Sequence, residues 1–125
     1  MNKHHITTIL PTLEEVYHAS QSEYMYCATF TTSSGPAPTI QLIPHTLNIC
    51  EWQFEQNPEC EIKQLLGDLL PNLRLDHWMP ETHAVFEFDA VSITKQAEAI
   101  DLLFLRYLHS PRHYHLQVEE IYPTG

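Results

Sequence analysis

The sequence predicts an α+β domain built on a mixed, mainly antiparallel sheet of about five strands, with two or three helices and a C-terminal β-α-β unit. The length of 125 residues is that of one domain, so we expect residues 1–125 to form a single compact unit. Runs rich in β-branched and aromatic residues, separated by turn-forming residues, predict strands joined as a meander in the first half. Apolar residues at helical spacing predict the helices, the last of them between two strands.

Two helices are expected within residues 1–71. The first is a short one over 13–20, because Thr12 and Glu15 have the spacing of a capping box and Pro11 stands just before them. The second begins at Asn57 and Pro58 and is ended by Pro71. Its apolar stripe consists of Ile62, Leu65, Leu66, Leu69 and Leu70.

A third helix is expected over 94–109. Its apolar stripe consists of Ile100, Leu103, Phe104, Tyr107 and Leu108. Leu102 and Leu105 fall outside that stripe. They indicate either a helix packed more deeply than usual or a contact with another chain, such as a homodimer interface, and we favour the extra core packing.

The strands are expected at 24–32, Thr39–Ile43, 46–54, 83–91 and 114–122. The last two flank the third helix with short connections, so the unit should be parallel and right-handed. Alternation predicts the side chains that face the core, which are Phe86, Phe88 and Ala90 in one strand and Leu116 and Val118 in the other. The segment 72–82 has no clean period. Either a loop folded over the core or an irregular strand is expected there, and a core-covering loop is favoured over a small-molecule pocket at Trp78.

Composition excludes several classes of function. The chain has 16 acidic and 6 basic residues, a net charge of −10, and such a chain is repelled by nucleic acid and by anionic membranes. Its three glycines cannot build a phosphate-binding loop. Three dispersed cysteines favour free thiols in a reducing compartment, and we find neither a secretory signal nor about 20 consecutive apolar residues. We therefore expect a cytoplasmic protein.

Histidines form the first candidate site. His109, His113 and His115 lie close together in the sequence, and the last two share one face of a predicted strand. They could ligate zinc, with a carboxylate of Glu87 or Asp89 as a further ligand. Recognised zinc spacings such as HExxH are absent from the sequence, so exposed or helix-capping histidines without any cofactor are the favoured interpretation.

The same region could act as an acid–base pair without a metal. Glu87 or Asp89 would then work with His115 in a pocket that excludes water. Alternating acids on the outer face of a strand are more often solvated. Because no nucleophile motif accompanies them, we do not expect an enzyme.

The most distinctive run is acidic and aromatic. No lysine or arginine occurs from His4 to Ile62, while 51–61 carries four glutamates and two large aromatic residues. The predicted partner-binding residues are Glu51, Trp52, Glu55, Glu59 and Glu61. Aromatic anchors rimmed by carboxylates suit a basic protein partner, although Trp52 and Phe54 could equally belong to the core.

Together these patterns predict a small acidic protein-binding domain. An inhibitor of the immunity type, or an antagonist that imitates nucleic acid, would engage a basic protein such as a toxin or a nucleic-acid-binding protein. Two alternatives stay open. One is a small metal-binding or acid–base enzyme that uses the histidine region, and the other is a structural or chaperone-like subunit that associates through the third helix.

Overall fold

The computed structural model describes residues 3–20, 26–32, 38–108, 117–118 and 122–123. Within them the helices are α1 (Lys3–Ala19), α2 (Glu59–Leu66) and α3 (Ile93–Leu102), and α3 continues as a π-helical turn over Leu103–Tyr107. The strands are β1 (Tyr26–Thr31), β2 (Thr39–Ile43), β3 (Thr46–Cys50), β4 (Arg74–Met79), β5 (His83–Glu87), β6 (Gln117–Val118) and β7 (Tyr122–Pro123). The predicted α+β class is confirmed.

The strands form a sheet in the order β4-β5-β3-β2-β1-β6, and β7 also pairs with β1. Every pairing among the described strands is antiparallel. Because direction alternates at each step, β5 and β6 run the same way with three strands between them. The predicted C-terminal unit is therefore a wide crossover, in which α3 leads from β5 towards the far side of the sheet.

Alternating burial gives strands β2 and β3 one buried apolar face and one more exposed face. In β2 and β3 the buried positions are Ile40, Leu42, Leu47 and Ile49. They join residues of all three helices in the hydrophobic core. The positions between them are small or polar side chains, which defines the outer face of the sheet as the side opposite the core.

Helix α1 is twice as long as the predicted segment and includes Pro11. Ile9, Leu13 and Val16 are all fully buried, so the apolar stripe runs through the proline. Burying one such side chain stabilises a fold by about 1.5–3 kcal/mol, which offsets the roughly 3 kcal/mol that an interior proline costs. Tertiary packing thus overrides a local helix breaker.

Polar contacts also tie α1 to α3. His5 Nδ1 lies 3.1 Å from Asp101 Oδ1, with both side chains buried. The hydroxyl of Tyr17 donates to Gln96 Oε1 at 2.7 Å, and Gln96 Nε2 donates to the carbonyl oxygen of Val91 at 3.0 Å. These bonds satisfy polar groups that burial would otherwise penalise.

The segment 72–82 contains strand β4, so of the two expected alternatives the irregular strand is the one observed. The register of β4 against β5 shifts between Leu75 and His77. A bulge of this kind breaks the two-residue alternation, which is why the segment has no clean period. Trp78 packs against the core and touches the ring of Phe54, with centroids 6.2 Å apart.

Two other strands end earlier than predicted. Strand β3 stops at Cys50 because Glu51 adopts φ = 57°, in the left-handed region that extended strands do not use. Strand β5 stops at Glu87. Phe86 and Phe88 are buried as expected, but Ala90 is exposed beyond the strand end, and Val118 in β6 is 37% exposed rather than buried.

The third helix changes its geometry where the two extra leucines lie. The amide of Leu108 donates to the carbonyl oxygen of Leu103 at 2.8 Å, a bond that spans five residues instead of four. Leu102 and Leu105 are half-buried against the core, as the core-packing interpretation expected. None of the helices in the described part of the chain is long and apolar enough to cross a membrane.

Candidate functional site

A cleft of about 600 Å³ opens between the loop that follows β3, the start of α2 and the π-helical turn. We call it the aromatic cleft. Its lining residues are Trp52, Gln53, Glu55, Gln56, Glu61, Arg106 and Tyr107. Three separate parts of the sequence therefore meet at one surface site.

Backbone hydrogen bonds and one buried ring fix the loop that forms the first wall. The amide of Glu51 donates to Thr82 O at 2.8 Å, and the amide of Phe54 donates to Pro80 O at 2.6 Å. The Phe54 side chain is only 4% exposed and so anchors the loop to the core. Of its neighbours, Glu55 is exposed and Trp52 is half-buried against the core, and both line the cleft.

Trp52 and Tyr107 form the aromatic wall. Their ring centroids lie 6.2 Å apart at an angle of 50°, and Phe54 supports Tyr107 from the core side at 6.3 Å. Burial and, to a smaller extent, the negative charge of Glu61 raise the pKa of Tyr107, a hydrogen bond with Trp52 lowers it, and the net value is about 12. Tyr107 is therefore a neutral phenol at physiological pH.

Charged and amide side chains surround this wall. Glu55 and Glu61 are exposed, and Gln56 Nε2 donates to Glu61 Oε1 at 3.1 Å. Arg106 lines the same cleft but forms no ion pair with a carboxylate among the described residues. Aromatic faces beside two carboxylates attract a cation, because the ring quadrupole and the negative charges act in the same direction.

The five predicted partner-binding residues are separated by the fold. Trp52, Glu55 and Glu61 come together in the aromatic cleft. Glu51 lines a second cleft on the outer face of the sheet. Glu59 has an intramolecular role, since its Oε2 accepts the amide of Leu75 at 3.0 Å and lies 3.6 Å from Lys63 Nζ.

Gln53, Gln56, Arg106 and Tyr107 were not predicted as site residues. The sequence places Tyr107 in the apolar stripe that faces the core. In a regular helix nothing predicts that Arg106 and Tyr107 contact the loop after β3. The only signal for the π-helical turn is the pair of leucines outside the stripe. π-Helical turns recur at functional sites, and the one in this chain lines the aromatic cleft.

The predicted histidine site lies outside the described residues, while its candidate carboxylates lie within them. His109, His113 and His115 lie outside them, so neither the zinc site nor the pair with His115 can be described. The carboxylates of Glu87 and Asp89 both face Arg74, whose nitrogens lie 3.2 and 3.5 Å away. That ion-pair network engages both candidate acids.

The cysteines are free thiols, of which Cys27 is buried, Cys50 half-buried and Cys60 exposed. Burial raises the pKa of Cys50 despite a hydrogen bond with Thr39, and the charge of Glu51 raises it further. A raised pKa keeps the thiol protonated and disfavours a nucleophilic role for Cys50.

No protein-family model matches the chain, and neither the curated proteins nor the solved structures contain a significant match to it.

Proposed function

We propose that this chain is a non-catalytic recognition domain that binds a basic partner protein and receives an arginine side chain of that partner in the aromatic cleft. The observation that carries the proposal is the Trp52–Tyr107 wall with Glu55 and Glu61 in the same cleft. An inhibitor of the immunity type, or an antagonist that imitates nucleic acid, is the class of protein that this combination fits best.

Arginine suits the cleft better than lysine does. Its planar guanidinium stacks on aromatic rings and donates two parallel hydrogen bonds to one carboxylate, whereas an ammonium group is more strongly hydrated. A cation over an aromatic ring contributes about 0.5–1 kcal/mol at an exposed site and about 2 kcal/mol when water is excluded. Trp, Tyr and Arg are also the residues that most often dominate binding energy at interfaces.

The overall charge supports the same partner class. A net charge of −10 attracts a basic protein over a distance of about one Debye length, roughly 8 Å at physiological salt. The part of the chain from His4 to Ile62, which supplies Trp52, Glu55 and Glu61, contains no lysine or arginine that would oppose this attraction. Charge complementarity of this kind mainly raises association rates, while the cleft supplies specificity.

The first test uses a small probe, Nα-acetyl-arginine amide, and the fluorescence of Trp52. Trp52 and Trp78 are the two tryptophans of the chain, so a Trp78→Phe background isolates the signal. We expect saturable binding that weakens with salt and is reduced several-fold by Glu55→Gln or Glu61→Gln. Arg106→Gln should strengthen binding, because it removes a like charge from the cleft.

Two controls separate the cleft from general electrostatics. Glu14→Gln makes the same change in charge at an exposed position of α1 and should leave binding unchanged. Nα-acetyl-citrulline amide has the shape of the probe without its charge and should not bind. Equal weakening by Glu14→Gln and Glu61→Gln, or equal binding of the two amides, would contradict the proposal.

The partner class needs its own experiment. Lysate of the source cells is passed over the wild-type chain and over a Glu55→Lys/Glu61→Lys variant, each immobilised in the same amount. We expect a basic protein on the first that is lost from the second and released by salt. A partner retained equally by both would show that recognition lies elsewhere.

A further inference from the structure

A second cleft, of about 520 Å³, lies on the outer face of the sheet and is separate from the aromatic cleft. We call it the outer-face cleft. The polar lining residues that matter here are Asn48, Glu51, His77, Glu81 and His83. Its floor belongs to β3 and β5, whose positions in the cleft alternate with buried core residues.

Antiparallel pairing of β4 with β5 brings two histidines together in this cleft. His77 pairs with Val85 and His83 pairs with Met79, so the two histidines are diagonal neighbours on one face. Their ring centroids lie 5.4 Å apart, and the ring planes are inclined at 84°. His77 lies in the segment 72–82, whose structure the sequence left open, and His83 begins the predicted strand 83–91. The pairing of β4 with β5 brings the two histidines together.

Each ring is already held through its Nδ1 atom. His77 Nδ1 lies 2.8 Å from Asp76 Oδ2, and His83 Nδ1 lies 3.1 Å from Thr82 Oγ1. Since a carboxylate only accepts, Nδ1 of His77 is the donor and Nε2 of the neutral ring carries the lone pair. Histidines that ligate metals have this arrangement, with the second ring nitrogen hydrogen-bonded to a carboxylate or another polar group.

We infer that the outer-face cleft binds a divalent transition-metal ion through Nε2 of His77 and Nε2 of His83. Zinc–nitrogen bonds are about 2.0–2.1 Å long, which places the centres of two imidazoles on one tetrahedral ion roughly 5 Å apart. The observed spacing of 5.4 Å agrees with that value. Imidazole ligands select zinc, copper and nickel over magnesium and calcium.

Two histidines are the protein ligands that this site provides. Among the described residues, no three histidine, cysteine, aspartate or glutamate side chains are grouped closely enough to hold an ion as they stand. Water completes the coordination, and the carboxylates of Glu51 and Glu81 lie in the same cleft to balance the charge of the ion. Open positions of this kind let a partner or a small ligand coordinate the bound ion.

The experiment is calorimetric titration of the full, tag-free chain with ZnCl₂ and with NiCl₂. We expect one site whose affinity falls at least about 10-fold in His77→Gln and in His83→Gln. Asp76→Asn keeps both ligands but removes the carboxylate behind His77, and it should weaken binding by about 10-fold. Imidazole nitrogen spectra should show zinc on Nε2 of both rings.

Matched controls locate the site. His18→Gln removes an exposed histidine of α1 and should bind zinc like the wild type. A His109→Gln/His113→Gln/His115→Gln variant should also retain the site, as should Glu55→Gln and Glu61→Gln, so this inference and the proposed function can fail separately. Zinc binding that survives His77→Gln/His83→Gln, or no binding by the wild type, would overturn the inference.

Discussion

Tyr107 is the residue through which the core and the aromatic cleft are connected. Its ring contacts Phe54, which is buried, and Trp52, which is half-buried and lines the cleft. The same burial that positions the ring is the main reason why the pKa of its hydroxyl is raised to about 12, with a smaller contribution from the charge of Glu61. The position of Tyr107 and its protonation are thus set by one packing arrangement.

Alkaline titration should report this arrangement. An unfolded tyrosine ionises near pH 10, so the neutral form of Tyr107 contributes to stability below about pH 10, and that contribution is lost as the pH rises through about 12. Tyrosinate absorbance should show a late component that Tyr107→Phe reduces, and Tyr17, whose pKa burial also raises, should supply the remainder. Tyr26→Phe is the control, and loss of the same late component in that variant would contradict the assignment.

Only part of the site could be predicted residue by residue. Trp52, Glu55 and Glu61 could be predicted because the sequence contains an acidic run with an aromatic residue in it. The role of Glu59 was not, because it depends on the amide of Leu75 in a strand that has no period of its own. Because the register of β4 could not be predicted, the proximity of His77 and His83 could not be predicted either.

At the scale of elements, β4 is an edge strand of the sheet with several protective features. It has a bulge after Leu75, and Arg74, Asp76 and His77 place charged or titratable groups along it. The Glu59 carboxylate accepts the amide of Leu75. Bulges and charges at an edge disfavour pairing with another chain, so β4 is a poor template for aggregation.

Removing the Glu59 carboxylate should loosen this edge. We expect Glu59→Ala to lower the free energy of unfolding by about 1–2 kcal/mol, because a hydrogen bond from an amide to a charged group is lost. Hydrogen exchange at the Leu75 amide should accelerate. Glu61→Ala removes the same charge from the same helix and should change stability by less than about 0.5 kcal/mol; equal losses in both variants would refute the role of Glu59.

The elements themselves were predictable where their periods are regular. Strand β2 appears with the bounds that its pattern predicts, and the stripe of α2 is buried at Ile62 and Leu66. The errors fall where a local signal competes with packing. Helix α1 begins at Lys3 and runs through Pro11, although the predicted helix starts only after that proline. The left-handed backbone of Glu51 ends β3 within a run of strand-forming residues.

At the scale of the whole molecule, strand β1 depends on residues close to the C-terminus. Phe30 pairs with Val118 and Cys27 pairs with Tyr122, on the side of β1 opposite β2. Five of the six residues of β1 are buried. Without these partners β1 would become an edge strand with apolar side chains and unpaired backbone groups.

A chain that ends at residue 116 tests this dependence. Losing a few backbone hydrogen bonds should cost about 2 kcal/mol or more, which for a domain of this size lowers the melting temperature by roughly 8 °C. The exposed edge should also produce dimers or larger species in light scattering. Removing 124–125 alone is the control, and an unchanged, monomeric chain ending at 116 would contradict the pairing.

The aromatic cleft depends on the π-helical turn, which supplies two of its lining residues, Arg106 and Tyr107. A bond that spans five residues encloses one residue more than an α-helical bond, as a single-residue insertion would produce. Deleting one residue of Leu103–Tyr107 should restore a regular helix while the residues after the turn keep the side that they face, because a π-helical turn accommodates its extra residue locally. Arg106 and Tyr107 lie inside the turn, so their positions beside Trp52 depend on the extra residue, whereas the strands of the sheet do not. A change of one residue in length should therefore remodel the aromatic cleft and leave the fold as it is.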